Sequence, residues 1–455
     1  MEPFRFHLFV CTQQKPEGVP CCPASGSLAV LAALDHELQA RGLAGDVQIT
    51  SCGCMGLCDE GPIMVVYPAG VWYRGVQPAD VSEIVGRHLR EGEIVGRLVW
   101  NDPPAMKAMA VDHGKEFRQA MAARDKAGVL PDRLDQMIRA YMPSRCLLTA
   151  LELDVFTAVG DGASAGQIGA RVQANARAVG MLLNALVALG VLSKSGDLYK
   201  NTPESARFLV ESSKDNHRNG LLHMANLWHR WSTLTDAVRD GTRVPLDLRP
   251  LGRDNSDWTR NFIAAMQRNA KDRAPLVVKA LGTAGVRRIL DLGGGSGAYS
   301  IAFAKASPDI HCEILDVPEV VPLTLEYVRQ AGVQAQVSLR GGDMLRGDFG
   351  SGYDVVMLNA ICHMFSEEQN RDIFLRAKQA LAPKGRLVVQ DFILNPDKTG
   401  PQQAALFSLN MLVGTDAGAS YNESDYTEWM RTAGFHEVCR TNLPGPSDLI
   451  AGRVA

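Results

Sequence analysis

Apolar and polar residues alternate at the start of the chain, where Phe4, Phe6, Leu8 and Val10 fall on one face of an extended segment. This alternation predicts a strand that ends at Cys11. The elements predicted next by their spacing are a helix over 27–42, strands over 47–51, 63–67 and 71–73, and a closing helix over 79–89. Together they predict a compact α+β unit of about 95 residues.

A mostly helical pattern runs from about residue 131 to about residue 230, after a linker-like stretch over 100–130 with one charged helix at 113–126. Within the helical region, the pattern predicts helices over 165–172 and 178–189 and short strands over 191–194 and 198–200. This order is the outline of a winged helix. Because the segment lacks a basic recognition helix, a dimerisation module is favoured over DNA binding.

Strands and helices alternate from about residue 255 onward, which favours a doubly wound α/β sheet. The strand candidates are 288–292, 312–316, 337–341, 353–358 and 386–392. The pattern therefore predicts four segments along the chain: an α+β domain over 1–95, a linker with a helix over 96–130, a helical domain over 131–250 and an α/β domain over 251–455.

Composition narrows the function classes. The 455 residues are 46% hydrophobic and 21% charged, with a formal net charge of -3. This balance is ordinary for a globular protein and does not favour nucleic-acid binding, which needs a basic face. The chain has no apolar run long enough to span a membrane and does not begin like a signal peptide. We therefore expect a cytoplasmic protein with no membrane segment.

Cysteine placement points to a metal or redox site near the N-terminus, since six of the ten cysteines lie in the first 58 residues. An iron–sulfur cluster needs four converging thiolates, and glycines at 53, 56 and 61 let a loop wrap around one. A zinc site and a redox dithiol are the alternatives, although zinc sites more often use Cys-x-x-Cys pairs.

Residues 4–91 resemble the thioredoxin-like [2Fe-2S] ferredoxins, through the segment around Cys11, the Cys-Met-Gly-Leu-Cys loop at 54–58 and the Gly-Pro-Ile-Met-Val-Val-Tyr segment at 61–67. The resemblance implies a thioredoxin-like fold with a cluster. The ligands it implies are Cys11, Cys22, Cys54 and Cys58. Cys21 and Cys52 depart from the minimal pattern and keep the choice of ligands open.

A glycine-rich turn follows the predicted strand at 288–292, with glycines at 293, 295 and 297 that let the backbone approach a ligand closely. Asp291 lies at the mouth of this turn. The glycine spacing also satisfies a dinucleotide-binding pattern, and a turn that only packs is the third alternative.

Acidic residues at the ends of the next two strands separate these alternatives. Asp316 is placed to bind ribose hydroxyls, and Asp343 with Met344 is placed to bind an adenine. The set resembles the Rossmann-like class I methyltransferases, which use S-adenosyl-L-methionine (SAM). The residues that this resemblance assigns to cofactor binding are Asp291, Gly293, Gly295, Asp316, Asp343 and Met344.

Residues 130–455 resemble the plant-type and hydroxyindole-type O-methyltransferases, chiefly through the segment at 358–369. The resemblance implies that His363 is the general base and Asp391 its acidic partner. An imidazole that titrates near neutrality is suited to remove a hydroxyl proton. Two positions depart from the family pattern: Ser420 replaces a second acidic partner, and Asn359 replaces a lysine of plant members. A structural role is the alternative for His363.

The acceptor pocket is predicted from the same resemblance. Phe262 and Met266, one helical turn apart, match a pair that lines the acceptor pocket, and Asn410 with Met411 is expected to border it. Ordinary core packing is the alternative for Phe262 and Met266.

The function expected from these features is methylation of an oxygen on a small aromatic or quinone-like acceptor. The ferredoxin domain would reduce the acceptor, with a redox partner protein, or sense redox state, or mainly contribute a dimer contact. A SAM-binding hydroxylase or decarboxylase is one alternative, and an electron-transfer or regulatory protein is another. We expect a homodimer formed by the helices of 131–230.

Overall fold

The computed structural model describes residues 3–15, 19–246 and 255–455. The chain divides into two compact units, Met1–Ala140 and Tyr141–Ala455. None of the helices among the described residues is long and apolar enough to cross a bilayer.

The first unit contains a four-stranded sheet in the order β2-β1-β3-β4, with β1 parallel to β2 and antiparallel to β3. Its elements are β1 (Phe6–Cys11), α1 (Ser27–Ala40), β2 (Val47–Cys52), β3 (Met64–Tyr67), β4 (Val71–Tyr73), α2 (Val81–Glu83, continuing with wider turns over Ile84–Glu91), α3 (Pro103–Lys126) and α4 (Asp132–Arg139). The elements expected in residues 1–95 are confirmed, with their ends displaced by a few residues.

Packing of α1 on the sheet explains the spacing seen in the sequence. Val30, Leu34 and Leu38 of α1 are buried in one apolar cluster with Leu8 and Val10 of β1. These two sets recur at the helical and strand periods respectively, so each element buries one face.

Helix α3 begins ten residues earlier than the helix predicted at 113–126. Asp102 caps it, since its carboxylate accepts a hydrogen bond from the backbone N–H of Ala105 at 3.0 Å. Pro103 and Pro104 occupy the first turn, where a missing N–H costs nothing. The prolines that interrupt the sequence pattern therefore start the helix.

The second unit begins with the helical region and continues into a large sheet. Its helices are α5 (Tyr141–Glu152), α6 (Val155–Val159), α7 (Ala165–Arg171), α8 (Ala176–Ala188), α9 (Pro203–Phe208), α10 (Arg218–Trp231), α11 (Leu234–Asp240), α12 (Asn255–Lys271), α13 (Ala274–Leu281), α14 (Ala298–Ala306), α15 (Val321–Ala331), α16 (Glu367–Ala380), α17 (Gln402–Gly414) and α18 (Glu423–Thr432). Its strands are β5 (Leu192–Ser195), β6 (Leu198–Asn201), β7 (Arg288–Leu292), β8 (His311–Asp316), β9 (Val337–Gly341), β10 (Tyr353–Asn359), β11 (Leu381–Asp391), β12 (His436–Thr441) and β13 (Asp448–Arg453). The α7–α8–β5–β6 order matches the expected winged-helix outline.

The large sheet has seven strands in the order β12-β13-β11-β10-β7-β8-β9. Strands β7 to β11 pair in parallel, as expected, whereas β13 is antiparallel to β11. The sequence pattern missed β12 and β13. Most side chains of β12, the edge strand, are exposed, so it lacks the apolar signal of a buried strand.

The carboxyl ends of the parallel strands meet at one edge of this sheet. Leu292, Asp316, Asn359 and Asp391 end β7, β8, β10 and β11 respectively. Ligands of open α/β sheets bind at this edge, so the fold itself indicates where a site should be.

Candidate active site

The turn after β7 has the left-handed backbone that glycine favours. Gly293, Gly295 and Gly297 have φ angles of 67°, 56° and 76°. A Cβ atom on Gly293 would lie 2.8 Å from Cγ1 of Ile361. On Gly295 it would meet nothing closer than Cδ1 of Ile263, at 3.8 Å. The turn is therefore packed against the segment that leads to His363, with more room around Gly295.

Asp291 is fully buried beside this turn. Its carboxylate accepts a hydrogen bond from the Ser300 hydroxyl at 2.7 Å and a long one from the Asn359 amide at 3.4 Å. Burial raises the pKa of Asp291 to about 6. The Oδ1 atom of Asn359 is buried without a hydrogen-bond partner among the described residues.

Asp316 joins the end of β8 to the glycine turn. Its carboxylate accepts hydrogen bonds from the backbone N–H groups of Gly295, at 2.8 Å, and Val317, at 2.7 Å. Burial raises its pKa. The N–H of Gly342 donates to the carbonyl of Asp316 at 2.9 Å, which brings the end of β9 to the same place. Asp291 and Asp316, the two carboxylates predicted to bind the cofactor, thus lie on either side of one turn.

The end of β9 carries the remaining predicted cofactor residues. Asp343 is exposed and accepts a hydrogen bond from the backbone N–H of Leu345 at 2.8 Å. Met344 is buried in the apolar core. The Asp343 side chain is therefore open to solvent at the end of β9, whereas Met344 packs into the core.

His363 and Asp391 form a buried pair. The imidazole Nδ1 lies 2.6 Å from Oδ1 of Asp391, and the backbone N–H of His363 donates to Oδ2 at 3.2 Å. An ionised carboxylate only accepts hydrogen bonds, so Nδ1 of a neutral imidazole carries the proton. The hydrogen bond to Asp391 then fixes the tautomer and leaves Nε2 as the unprotonated ring nitrogen.

Tyr426 is a member of this cluster that sequence reasoning missed. Its hydroxyl donates to Oδ2 of Asp391 at 3.0 Å, and burial together with the Asp391 charge raises the pKa of Tyr426. Ser420 donates its hydroxyl to the carbonyl of Ala404 at 3.0 Å. Tyr426 is therefore the second side chain, after His363, that donates a hydrogen bond to Asp391. The sequence pattern of its helix, α18, does not indicate this contact.

Aromatic side chains surround the His363 ring. The Phe407 ring meets it edge to face with 4.7 Å between centroids, and the Phe392 centroid is 6.2 Å away. A Cβ on Gly418 would lie 2.3 Å from the carbonyl oxygen of His363. These contacts were also missed, because the residues involved come together only in three dimensions.

The predicted acceptor residues lie on two helices of this unit. Phe262 of α12 contacts the ring of His223, with 5.3 Å between centroids, and Met266 is partly buried. The amide oxygen of Asn410 on α17 accepts a hydrogen bond from the indole of Trp231 at 2.8 Å, and Met411 is buried. Helix α17 also carries Phe407, so it links the Asn410 region to the base.

The first unit pairs the predicted cluster cysteines. Cys54 and Cys58 have their sulfur atoms 3.4 Å apart, and the Lys15 ammonium lies 3.0 Å from the Cys58 sulfur. Cys11 and Cys22 form the other pair: a hydrogen bond between their thiols lowers the pKa of Cys11 to about 6 and raises the pKa of Cys22. Both pairs are therefore present as neighbours.

These cysteines do not make a recognisable metal site as they stand. Among the described residues, no group of three or more His, Cys, Asp or Glu side chains is arranged to hold a metal ion. Cys11 and Cys22 are buried in an apolar cluster that includes Met106 of α3. Helix α3 also approaches the loop between Cys54 and Cys58, because a Cβ on Gly56 would lie 2.8 Å from Cα of Ala110.

The seven-stranded sheet, the glycine turn and the acidic strand ends define a class I SAM-dependent methyltransferase. Family comparison agrees: the O-methyltransferase domain matches residues 231–436, and the O-methyltransferase dimerisation domain matches residues 135–211. The chain belongs to the SAM-dependent O-methyltransferase family.

Individual relatives cover most of the second unit's length. A 3-hydroxy-5-methyl-1-naphthoate 3-O-methyltransferase from Streptomyces sahachiroi is 31% identical over 71% of this chain and 95% of its own. The tetracenomycin polyketide synthesis 8-O-methyl transferase TcmO from Streptomyces glaucescens is 31% identical over 71% and 96%. A solved structure of PigF with SAH is 28% identical over 71% and 100%, with a TM-score of 0.65.

Proposed function

We propose that this enzyme methylates a hydroxyl oxygen of a small aromatic or quinone-derived acceptor, with His363 as general base and Asp391 as its partner. The observation that carries the proposal is the buried His363–Asp391 pair, with Nδ1 and Oδ1 2.6 Å apart, in a segment packed on the glycine turn. The names of the naphthoate and tetracenomycin relatives support a polycyclic aromatic acceptor.

The proposed site can hold SAM, since Gly295 leaves room at the turn and Asn359 has a buried oxygen with no partner among the residues described. When bound, SAM supplies a methyl carbon made electrophilic by its sulfonium. We assign donor binding to Asp316 at the ribose, Asp343 and Met344 at the adenine, and Gly293 and Gly295 at the turn. Asp291 would contribute to donor binding indirectly, by stabilising the glycine turn through its hydrogen bonds to Ser300 and Asn359.

The proton path follows from the orientation of the imidazole. As the acceptor oxygen bonds to the methyl carbon and the carbon–sulfur bond breaks, the hydroxyl proton passes to Nε2 of His363. The imidazolium that forms is stabilised by the Asp391 carboxylate, to which Tyr426 and two backbone N–H groups also donate. Phe392 and Phe407 would exclude water beside the ring. We assign the acceptor pocket to these rings and to Phe262, Met266, Asn410 and Met411.

We also propose that the N-terminal unit is a thioredoxin-like ferredoxin domain with a [2Fe-2S] cluster on Cys11, Cys22, Cys54 and Cys58. The two neighbouring thiol pairs and their apolar surroundings support this. Cys22, the partner of Cys11, is a better candidate than Cys21. A Cβ on Gly61 would lie 2.9 Å from the Cys22 sulfur, so glycine leaves space there. The cluster would pass single electrons from a redox partner protein to the acceptor, or it would sense the redox state.

We infer a homodimer formed through the helical region, as its dimerisation domain suggests. Apolar side chains near the start of this region are open to solvent in one chain: Met137 is 63%, Ile138 64% and Tyr141 51% exposed. Exposed apolar surface of this kind favours association with a second copy. The division at 1–95, 96–130, 131–250 and 251–455 and a cytoplasmic location, which suits free thiols, belong to the same proposal.

Methyl transfer is tested by incubating the full chain with methyl-labelled SAM and a panel of hydroxylated naphthalenes and anthraquinones, in reduced and oxidised form. We expect label on an acceptor oxygen, lost in His363→Gln. Turnover of an acceptor without label would instead support a SAM-binding hydroxylase or decarboxylase. The cluster is tested separately, by visible absorption and EPR after anaerobic purification, with Cys22→Ser against Cys21→Ser as the matched pair.

A further inference from the structure

The guanidinium of Arg230, on α10, lies half-buried, with no acidic partner in the described part of the chain. It stacks over the Trp258 ring, 5.0 Å from the centroid, and makes a long 3.5 Å hydrogen bond to the carbonyl of Gly414. Its Nε atom is buried without a hydrogen-bond partner, and no carboxylate among the described residues is within ion-pair distance. Burial lowers the pKa of Arg230, and so does the charge of Arg243, which is itself paired with Asp416.

His223 lies two helical turns before Arg230 on the same helix and is 8% exposed. Its ring meets Trp258 and Phe262 edge to face, with centroids 5.7 and 5.3 Å away, and its Nδ1 atom is buried without a partner among the described residues. Burial and the charges of Arg230 and Arg268 lower the pKa of His223 to about 4. It is therefore a neutral side chain in a positively charged environment.

Contacts between neighbouring residues link this polar region to both the glycine turn and the proposed base. Trp231, next to Arg230 in the chain, donates a hydrogen bond to Asn410 of α17. The same helix carries Phe407, whose ring contacts His363. Phe262, which contacts His223, is followed by Ile263, the side chain nearest to a Cβ on Gly295. Helix α10 thus packs against both α12 and α17, and it carries the polar atoms of His223 and Arg230 that lack partners among the described residues, beside aromatic rings.

We propose that the acceptor is an aromatic acid, whose ring carboxylate pairs with Arg230 beside His223 while its hydroxyl faces His363. A cation removed from water without a counter-charge is unfavourable, and a ligand carboxylate supplies that charge. Guanidinium–carboxylate bonds are among the strongest hydrogen bonds in proteins. The neutral His223 adds a polar contact without adding charge. This inference rests on the proposed methyl transfer and specifies its acceptor class.

The test compares two probes that differ by the carboxylate: 3-hydroxy-1-naphthoate and 2-naphthol. Calorimetry measures the binding of each to the full chain saturated with S-adenosylhomocysteine at pH 7.5. We expect wild type to prefer the naphthoate by about tenfold or more, the size of one charge-assisted hydrogen bond. Arg230→Met should reduce this preference to about threefold or less, and Arg230→Lys should restore part of it.

The matched control is Arg260→Met, which removes an exposed arginine of α12 that pairs with Glu326. It should keep the preference. Equal binding of both probes to wild type, or an undiminished preference in Arg230→Met, overturns the inference. A loss of S-adenosylhomocysteine affinity in Arg230→Met with the preference retained also overturns it, because Arg230 would then serve the donor. If wild type binds the naphthoate more tightly than 2-naphthol but transfers label to neither probe, the carboxylate site at Arg230 stands and the proposed methylation of such acids is refuted.

Discussion

Replacing Asp391 with asparagine tests the catalytic pair at its most constrained point. The Asp391 carboxylate accepts hydrogen bonds from the His363 ring at 2.6 Å, the His363 backbone at 3.2 Å, the Phe392 backbone at 2.8 Å and the Tyr426 hydroxyl at 3.0 Å. An asparagine has nearly the same shape but no charge. One of its ends is an NH2 group, which cannot accept from these donors.

The expected loss follows from these contacts. A hydrogen bond to a charged group contributes about 1.5–3 kcal/mol, and the bond to the imidazole strengthens as positive charge forms on the ring. A loss of about 3–4 kcal/mol from the transition state corresponds to a fall of about 10²- to 10³-fold in kcat. The affinity for S-adenosylhomocysteine should not change, because Asp391 is assigned no contact with the donor.

The assay is single-turnover methyl transfer from labelled SAM to whichever acceptor gives product, with donor affinity measured by calorimetry. Tyr426→Phe is the matched control: it removes one neutral donor from the same carboxylate and keeps the charge. It should cost about tenfold or less. If Asp391→Asn is folded and retains kcat within about threefold of wild type, the assignment of His363 as a carboxylate-supported base is refuted.

Three further predictions concern other parts of the chain. Gly418→Ala places a Cβ 2.3 Å from the carbonyl oxygen of the proposed base and should lower kcat by about 10- to 100-fold, whereas Gly414→Ala, with open space around it, should not; equal kinetics would contradict this. Because burial raises the pKa of Asp291 to about 6, wild type should lose up to about 3 kcal/mol of stability relative to Asp291→Asn between pH 4 and 6, measured by unfolding of the donor-free protein; a parallel pH dependence would refute it. Ala110→Glu should speed the bleaching of the proposed cluster by a chelator, because it forces α3 away from the loop between Cys54 and Cys58. Val111→Glu, on the exposed side of α3, should not, and identical bleaching rates would show that α3 does not shield the cluster.

The predicted effect of Asp291 on stability has the opposite sign to that of most carboxylates in ion pairs, because burial without a cationic partner favours its protonated form. A folded pKa above the ordinary 3.8 means that the native state binds the proton more tightly than the unfolded chain. The contribution of Asp291 to stability is therefore largest below about pH 4, falls as the carboxyl ionises in the unfolded chain but not in the native state, and stays reduced above about pH 6. A bound donor that contributes positive charge nearby would diminish this loss.

The pattern of apolar residues was sufficient to predict most strands of both sheets. Strand β7 begins and ends as predicted, at Arg288 and Leu292, and β9 matches at Val337 and Gly341. Strand β7 is largely apolar and lies between β8 and β10, so its sequence carries the signal of a buried parallel strand. Strand β12 is an exposed edge and carries no such signal, whereas β13 is largely buried and was missed all the same.

Residue identity and local spacing determined the elements of the site that lie within one strand or turn. The glycine turn and the positions of His363 and Asp391 are features of short segments, and their chemistry could be named from the sequence. Tyr426 and Phe407 come from helices far along the chain, and they join the pair only through packing. Local periodicity cannot specify such contacts, because the three-dimensional arrangement of whole elements sets them.

The sequence by itself thus determined most of the strands and helices, the glycine-rich turn after β7 and the candidate residues of the site. Tertiary structure alone decided that Tyr426 would donate to the Asp391 carboxylate, and that Arg230 would lie without a counter-charge among the described residues. The physical reason is that hydrogen-bond satisfaction and burial depend on groups distant in sequence, which become neighbours only when the helices close around the sheet edge.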